Sequence, residues 1–125
     1  MVSTVTTVTS LTRSGVADFF VQRVTAVVLA LYTVWVLGFF LVTPELSHEA
    51  MVGHFGTFAM KLFSTLAVLS VAAHAWIGMW TVGTDYIRPH YFGARATSWR
   101  IAYQLVCMAV VFIYVAWGLT MFWSL

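Results

Sequence analysis

The sequence predicts an all-α membrane protein with three transmembrane helices, and three observations carry that prediction. The chain of 125 residues is 62% hydrophobic and 17% aromatic with 8% charged side chains, a composition outside the range of soluble domains. Its mean hydropathy is +0.93. Three runs contain no Asp, Glu, Lys or Arg: Val24 to Pro44, Leu62 to Thr84, and Ile101 to Leu125. Each is long enough to cross a bilayer, which takes ~20 residues at ~1.5 Å per residue. Together they occupy more than half of the chain, so residues 1–125 read as a single membrane unit with no separate soluble domain. Membrane lipid is the expected surrounding, and no nucleic-acid partner is expected.

The leader Met1 to Thr12 is polar and reads as a loosely held tail. A secretory signal peptide is not expected, because the first apolar run exceeds an h-region and lacks a small-residue cleavage site after it. The first helix is expected over about residues 20–43, with Pro44 as its stop. A loop from Thr43 to about Thr57 carries Glu45, His48, Glu49 and His54. The second helix is expected over about residues 58–84, with Lys61 snorkelling from its first turn and Pro89 just beyond its end. The third is expected over about residues 99–123. Cys107, the single cysteine, falls inside it and reads as a small buried hydrophobe.

Cations near helix ends are retained on the cytoplasmic side. Arg13 and Arg23 precede the first helix, and Arg88, Arg95 and Arg100 lie between the second and third, whereas the first loop is acidic. The N-terminus and second loop are therefore expected in the cytoplasm and the C-terminus outside. Trp80 and Trp99 then fall near the inner interface and Trp123 near the outer one, as in aromatic belts.

The chemistry concentrates on the second helix. His74 lies 13 residues after Lys61 and 11 before Asp85, about 20 Å and about 16 Å from those ends, well inside hydrocarbon. An imidazole at that depth marks a functional site, because lipid cannot satisfy its nitrogens. Ala67, Ser70, Gly78 and Thr81 project within about 40° of it, a small-residue face that suits close helix packing and equally leaves room for a flat macrocycle. Three readings of His74 stand side by side: a hydrogen-bonded structural residue, a proton relay, or an axial ligand to haem or another metal. For the ligand reading, His48 and His54 lie at the outer end and His90 in the inner loop, so none can reach the same iron. The second ligand must then come from another chain, a different subunit or a second copy. At the inner end Asp85 and Tyr86, with Arg88 two residues on, could deliver protons or hydrogen-bond a quinone headgroup, or could simply anchor the interface.

The segment His74-Ala75-Trp76-Ile77-Gly78-Met79-Trp80, continuing to Asp85-Tyr86 and Pro89, resembles the hydrophobic membrane anchor subunit of succinate dehydrogenase, the smaller D-type anchor of bacterial complex II. Gly15-Val16-Ala17-Asp18-Phe19, Arg23-Val24-Thr25-Ala26 and Gly38-Phe39-Phe40 extend the resemblance across most of Ser14 to Pro89, while the third helix matches in length and polarity only. The resemblance implies one anchor of a heteromeric helix bundle in a four-subunit succinate:quinone oxidoreductase of the respiratory chain and tricarboxylic acid cycle. A flavoprotein subunit oxidises succinate, an iron–sulfur subunit conducts electrons, and two anchor chains hold haem b and ubiquinone. His74 would supply one axial ligand to the haem iron and a cytochrome b anchor subunit the other. Tyr86 would hydrogen-bond a quinone oxygen, Asp85 would tune or hydrate that site, and Arg23 could pair with a haem propionate. This chain itself has too few cysteines for an iron–sulfur cluster and is not expected to carry the dicarboxylate chemistry. The membrane implied is the bacterial inner membrane, with the C-terminus periplasmic.

The segment His90 to Arg100 is longer, more aromatic and more basic than the family pattern, which bears on how the iron–sulfur subunit docks. Two alternatives remain: the anchor of a quinol:fumarate reductase, running the same chemistry in reverse, and a non-redox structural or transporter-accessory triple-span protein with His74 in an interhelical hydrogen bond.

Overall fold

The computed structural model describes residues 15–125, so the expectations for the leader and for Arg13 lie outside the described residues. The described residues form helices joined by short connections, three of the helices long and apolar enough to cross a membrane. The first, α1, spans Gly15–Val42. It starts before the uncharged run, and Asp18 sits in its first turn, where a carboxylate meets the positive end of the helix dipole. It ends one residue before Thr43-Pro44, where proline restricts the residue ahead of it.

The connection that the sequence reads as a loop contains a two-turn helix, α2, at His48–Phe55. Ser47 caps it: its extended backbone leaves the hydroxyl to accept from the Ala50 amide at 3.0 Å. Glu49 in the first turn agrees with the dipole. After Gly56, Thr57 caps the next helix by accepting from Met60 N–H at 3.3 Å, and its own hydroxyl donates to the His54 carbonyl at 3.1 Å.

The central helix, α3, spans Phe58–Tyr86 and packs on both α1 and the last helix, α5, at Ala96–Trp123. It runs past Thr84, so Asp85 and Tyr86 are its last helical residues. The chain then turns at Ile87, whose carbonyl accepts from Arg100 Nη2 at 2.6 Å. Pro89 opens a single helical turn, α4, at Pro89–Phe92. A 3₁₀ turn at Gly93–Arg95 follows, entered through Gly93 at φ +64°, a left-handed backbone that glycine adopts without strain. The last helix, α5, spans Ala96–Trp123. The segment His90 to Arg100 is thus a compact helical connector that runs directly into α5.

Only a narrow seam is buried. On α3 it comprises Met60, Ser64, Ala67, Ser70, Ile77 and Gly83, residues mostly small enough to let neighbouring backbones approach closely. Most large apolar side chains of α1 and α5 face outward, Leu31, Val34, Leu105 and Phe112 among them. In hydrocarbon that is the favourable direction, since lipid tails solvate them as well as a protein core would. Polar contacts tie the seam together. Tyr32 on α1 and the fully buried Ser64 on α3 share a hydrogen bond of 2.8 Å. On the other side, the Tyr103 hydroxyl donates to the Met79 carbonyl at 2.9 Å, and Trp123 Nε1 donates to Thr65 Oγ1 at 2.7 Å. Lys61 Nζ lies 5.6 Å from the centre of the Trp123 ring, so the ends of α3 and α5 that meet there combine a cation with an aromatic face. Cys107 is buried against this side.

Candidate functional site

His74 faces α1. Its Nδ1 lies 3.1 Å from Thr25 Oγ1, a contact between residues 49 positions apart. Thr25 is buried, and its hydroxyl also lies 2.7 Å from the Val21 carbonyl and 3.1 Å from that of Gln22, one helical turn back. A hydroxyl has one proton to donate and lone pairs to accept with. The shorter bond, to the Val21 carbonyl, takes that proton, which leaves the oxygen to accept from the imidazole. With the hydroxyl proton given to Val21, the tautomer that completes the contact is the one protonated on Nδ1, which leaves the Nε2 lone pair free.

The imidazole also lines a groove of about 390 Å³ between α1 and α3, together with Asp18, Phe19, Gln22, Arg23, Ala26, Ile77 and Thr81. Two acceptors in this groove, Asp18 Oδ1 and Gln22 Oε1, are buried and have no hydrogen-bond partner within the described residues. Buried acceptors left in that condition cost ~1–3 kcal/mol each, so this face calls for a donor from beyond the described residues. Arg23 stays exposed at the groove, with its guanidinium 4.9 Å from the centre of the Phe19 ring.

The small-residue face around His74 divides into two parts. Ala67 and Ser70, on its N-terminal side, are buried. On its C-terminal side, a side chain added at Gly78 would meet nothing within 4 Å, and Thr81 lines the groove with its hydroxyl turned back to the Ile77 carbonyl at 3.0 Å. Close packing thus holds below the histidine and gives way to open space above it, one property at each end of the same stripe.

Of the residues singled out from sequence, the fold brings His74 and Arg23 to one groove. Asp85 and Tyr86 do not line it; they lie at the end of α3, about 16 and about 18 Å from His74 along the helix axis. Tyr86 is 66% exposed. Arg88 turns toward Tyr91, its guanidinium 5.6 Å from that ring's centre. The other histidines are elsewhere: His54 stacks on Phe39 at 3.9 Å between ring centres and accepts from Trp35 Nε1 at 3.3 Å, and His90 packs edge-on against Tyr91. No group of three or more His, Cys, Asp or Glu among the described residues could hold a metal ion. Sequence reasoning missed Thr25, Asp18 and Gln22 as site residues. Asp18 and Gln22 lie one turn apart on α1 and could have been found as a polar stripe entering an apolar helix. Thr25 had no such signal, because its role depends on which helix lies opposite.

Residues 2–116 match the family model for the succinate dehydrogenase/fumarate reductase transmembrane subunit. The chain is also 37% identical over 112 residues to a succinate dehydrogenase hydrophobic membrane anchor subunit of Coxiella burnetii (strain RSA 493 / Nine Mile phase I), an alignment covering 89% of this chain and 90% of that relative.

Proposed function

The chain belongs to the succinate dehydrogenase/fumarate reductase transmembrane subunit family, and from that premise we propose that it shares a haem b with a second anchor chain and contributes to a ubiquinone-reduction site. Its role as a multi-pass membrane anchor within an enzyme complex follows from the family and from the three apolar helices. The dicarboxylate chemistry belongs, on this reading, to a flavoprotein subunit, with electrons delivered by an iron–sulfur subunit. The name of the Coxiella relative favours succinate oxidation over fumarate reduction as the working direction.

The observation that carries the haem reading is the state of His74: its Nδ1 is engaged by Thr25 while the ring lines an open groove. The residues present fit the group. His74 Nε2, with its lone pair free, would take one axial position. Arg23, on the same groove, would face a propionate, and the small lining residues Ala26 and Thr81 would leave room for the edge of a flat macrocycle. Bound there, haem b would supply a one-electron redox centre. Among the described residues no other histidine or cysteine lines the groove, so the second ligand is assigned to the cytochrome b anchor subunit.

At the end of α3, the Tyr86 hydroxyl would donate a hydrogen bond to a quinone carbonyl oxygen, with Asp85 beside it holding water or a proton for the reduced headgroup. Their exposure fits a site completed by other subunits. The arginines of the N-terminal region and of the connector between α3 and α5 support an orientation with this end at the cytoplasmic face, which in a bacterial inner membrane would leave the C-terminus periplasmic.

The test is an optical spectrum of the purified membrane complex. His74→Ala should abolish the reducible haem b band, and an unchanged spectrum would overturn the assignment.

A further inference from the structure

We infer that Thr25 is a positioning residue for His74, fixing both the orientation and the tautomer of the imidazole and thereby setting the potential of the haem. The inference rests on the reading of His74 as an axial ligand and adds a residue on a different helix.

The argument begins with the threonine itself. Thr25 is buried at the α1–α3 seam, where an unpaired hydroxyl would be costly, and its oxygen lies at the junction of three polar groups. The Val21 carbonyl at 2.7 Å draws the hydroxyl proton and fixes the rotamer. Thr25 Oγ1 then presents a lone pair toward α3, and His74 Nδ1 stands 3.1 Å away to donate into it. Only the tautomer protonated on Nδ1 satisfies this arrangement, and that tautomer is the one able to offer Nε2 to a metal.

The consequence extends to the iron. An acceptor for the Nδ1 proton orients an imidazole ligand and raises its basicity. A stronger donor stabilises the ferric over the ferrous state, so Thr25 holds the potential down. The β-branched skeleton contributes little to this, since the effect runs through the hydroxyl oxygen alone. Serine keeps that oxygen, and valine keeps the shape without it.

The experiment uses the assembled complex in detergent, with haem content, the low-spin ferric spectrum and the midpoint potential as readouts, none of which depends on turnover. Thr25→Val should shift the ferric/ferrous equilibrium toward ferrous by about tenfold, ~59 mV for a one-electron couple. It should also weaken haem retention by about tenfold or more. Thr25→Ser should stay near the wild-type values. Should the valine variant fail to assemble, Thr25→Ala carries the same expectation. A hydroxyl-free variant that matches the wild type in all three readouts would overturn the inference, as would a serine variant as perturbed as the valine one. His74→Ala separates the two levels of argument. Haem retained in that variant defeats the ligand reading and this inference together, whereas haem lost there with Thr25→Val unaffected defeats the role of Thr25 alone.

Discussion

Replacing Gly83 by alanine should destabilise the α3–α5 interface through one aromatic ring. A Cβ built on Gly83 would stand 3.0 Å from Cε1 and 3.1 Å from Cδ1 of Tyr103, where ordinary contact begins at 3.4 Å. The ring must withdraw by about 0.4 Å to reach the shallow part of the van der Waals well. It is not free to do so, because its hydroxyl is tied at the far end to the Met79 carbonyl at 2.9 Å. Overpacking of this kind costs ~1–3 kcal/mol. Against it stands the better helix propensity of alanine, ~1 kcal/mol relative to glycine in water. The net loss for Gly83→Ala is therefore up to about 2 kcal/mol. In a Tyr103→Leu background the clash disappears and the same substitution should become neutral or stabilising. Detergent-titrated unfolding of the complex, run as a double-mutant cycle, measures the coupling directly, and the expected value is ~1–3 kcal/mol. A coupling within about 0.5 kcal/mol of zero would refute the steric argument.

Two further outcomes are expected. Tyr86→Phe removes only the phenol oxygen from an exposed ring, so quinone reduction should weaken by up to about tenfold, the worth of one hydrogen bond, while succinate oxidation with an artificial acceptor stays intact. Equal loss of both activities would instead mark Tyr86 as an assembly residue. Ser47→Ala strips the cap from α2, worth ~1 kcal/mol, and should raise amide exchange across residues 48–55 roughly fivefold without altering that of α3. Unchanged exchange there would show that the aromatic stack of His54 on Phe39, and not the cap, holds that helix.

The two chemical sites were legible to different degrees. His74 stood out because an imidazole in an uncharged apolar run violates the composition around it. Asp85 and Tyr86 were visible as the polar end of the same helix. The helix α2 went unread because it lies in a short polar segment with little periodicity, although Ser47 ahead of Glu49 was a usable cap signal. Arg23 was nominated from its place at a helix entrance, and the fold puts it on the His74 groove together with Asp18 and Gln22. Those two residues form a polar stripe that the sequence displays, but their burial without a partner does not show there, because nothing local distinguishes such an oxygen from one that lipid headgroups or water satisfy.

The sequence by itself determined that three helices span a bilayer, because the transfer energetics of uncharged apolar runs depend on composition and length alone. It also determined that one histidine would be held at membrane depth. Tertiary structure decided what that histidine is bonded to. The register of α1 against α3 sets Thr25 opposite His74 across 49 residues of chain. No periodicity encodes that pairing, since it depends on how two helices rotate and slide until small residues interlock.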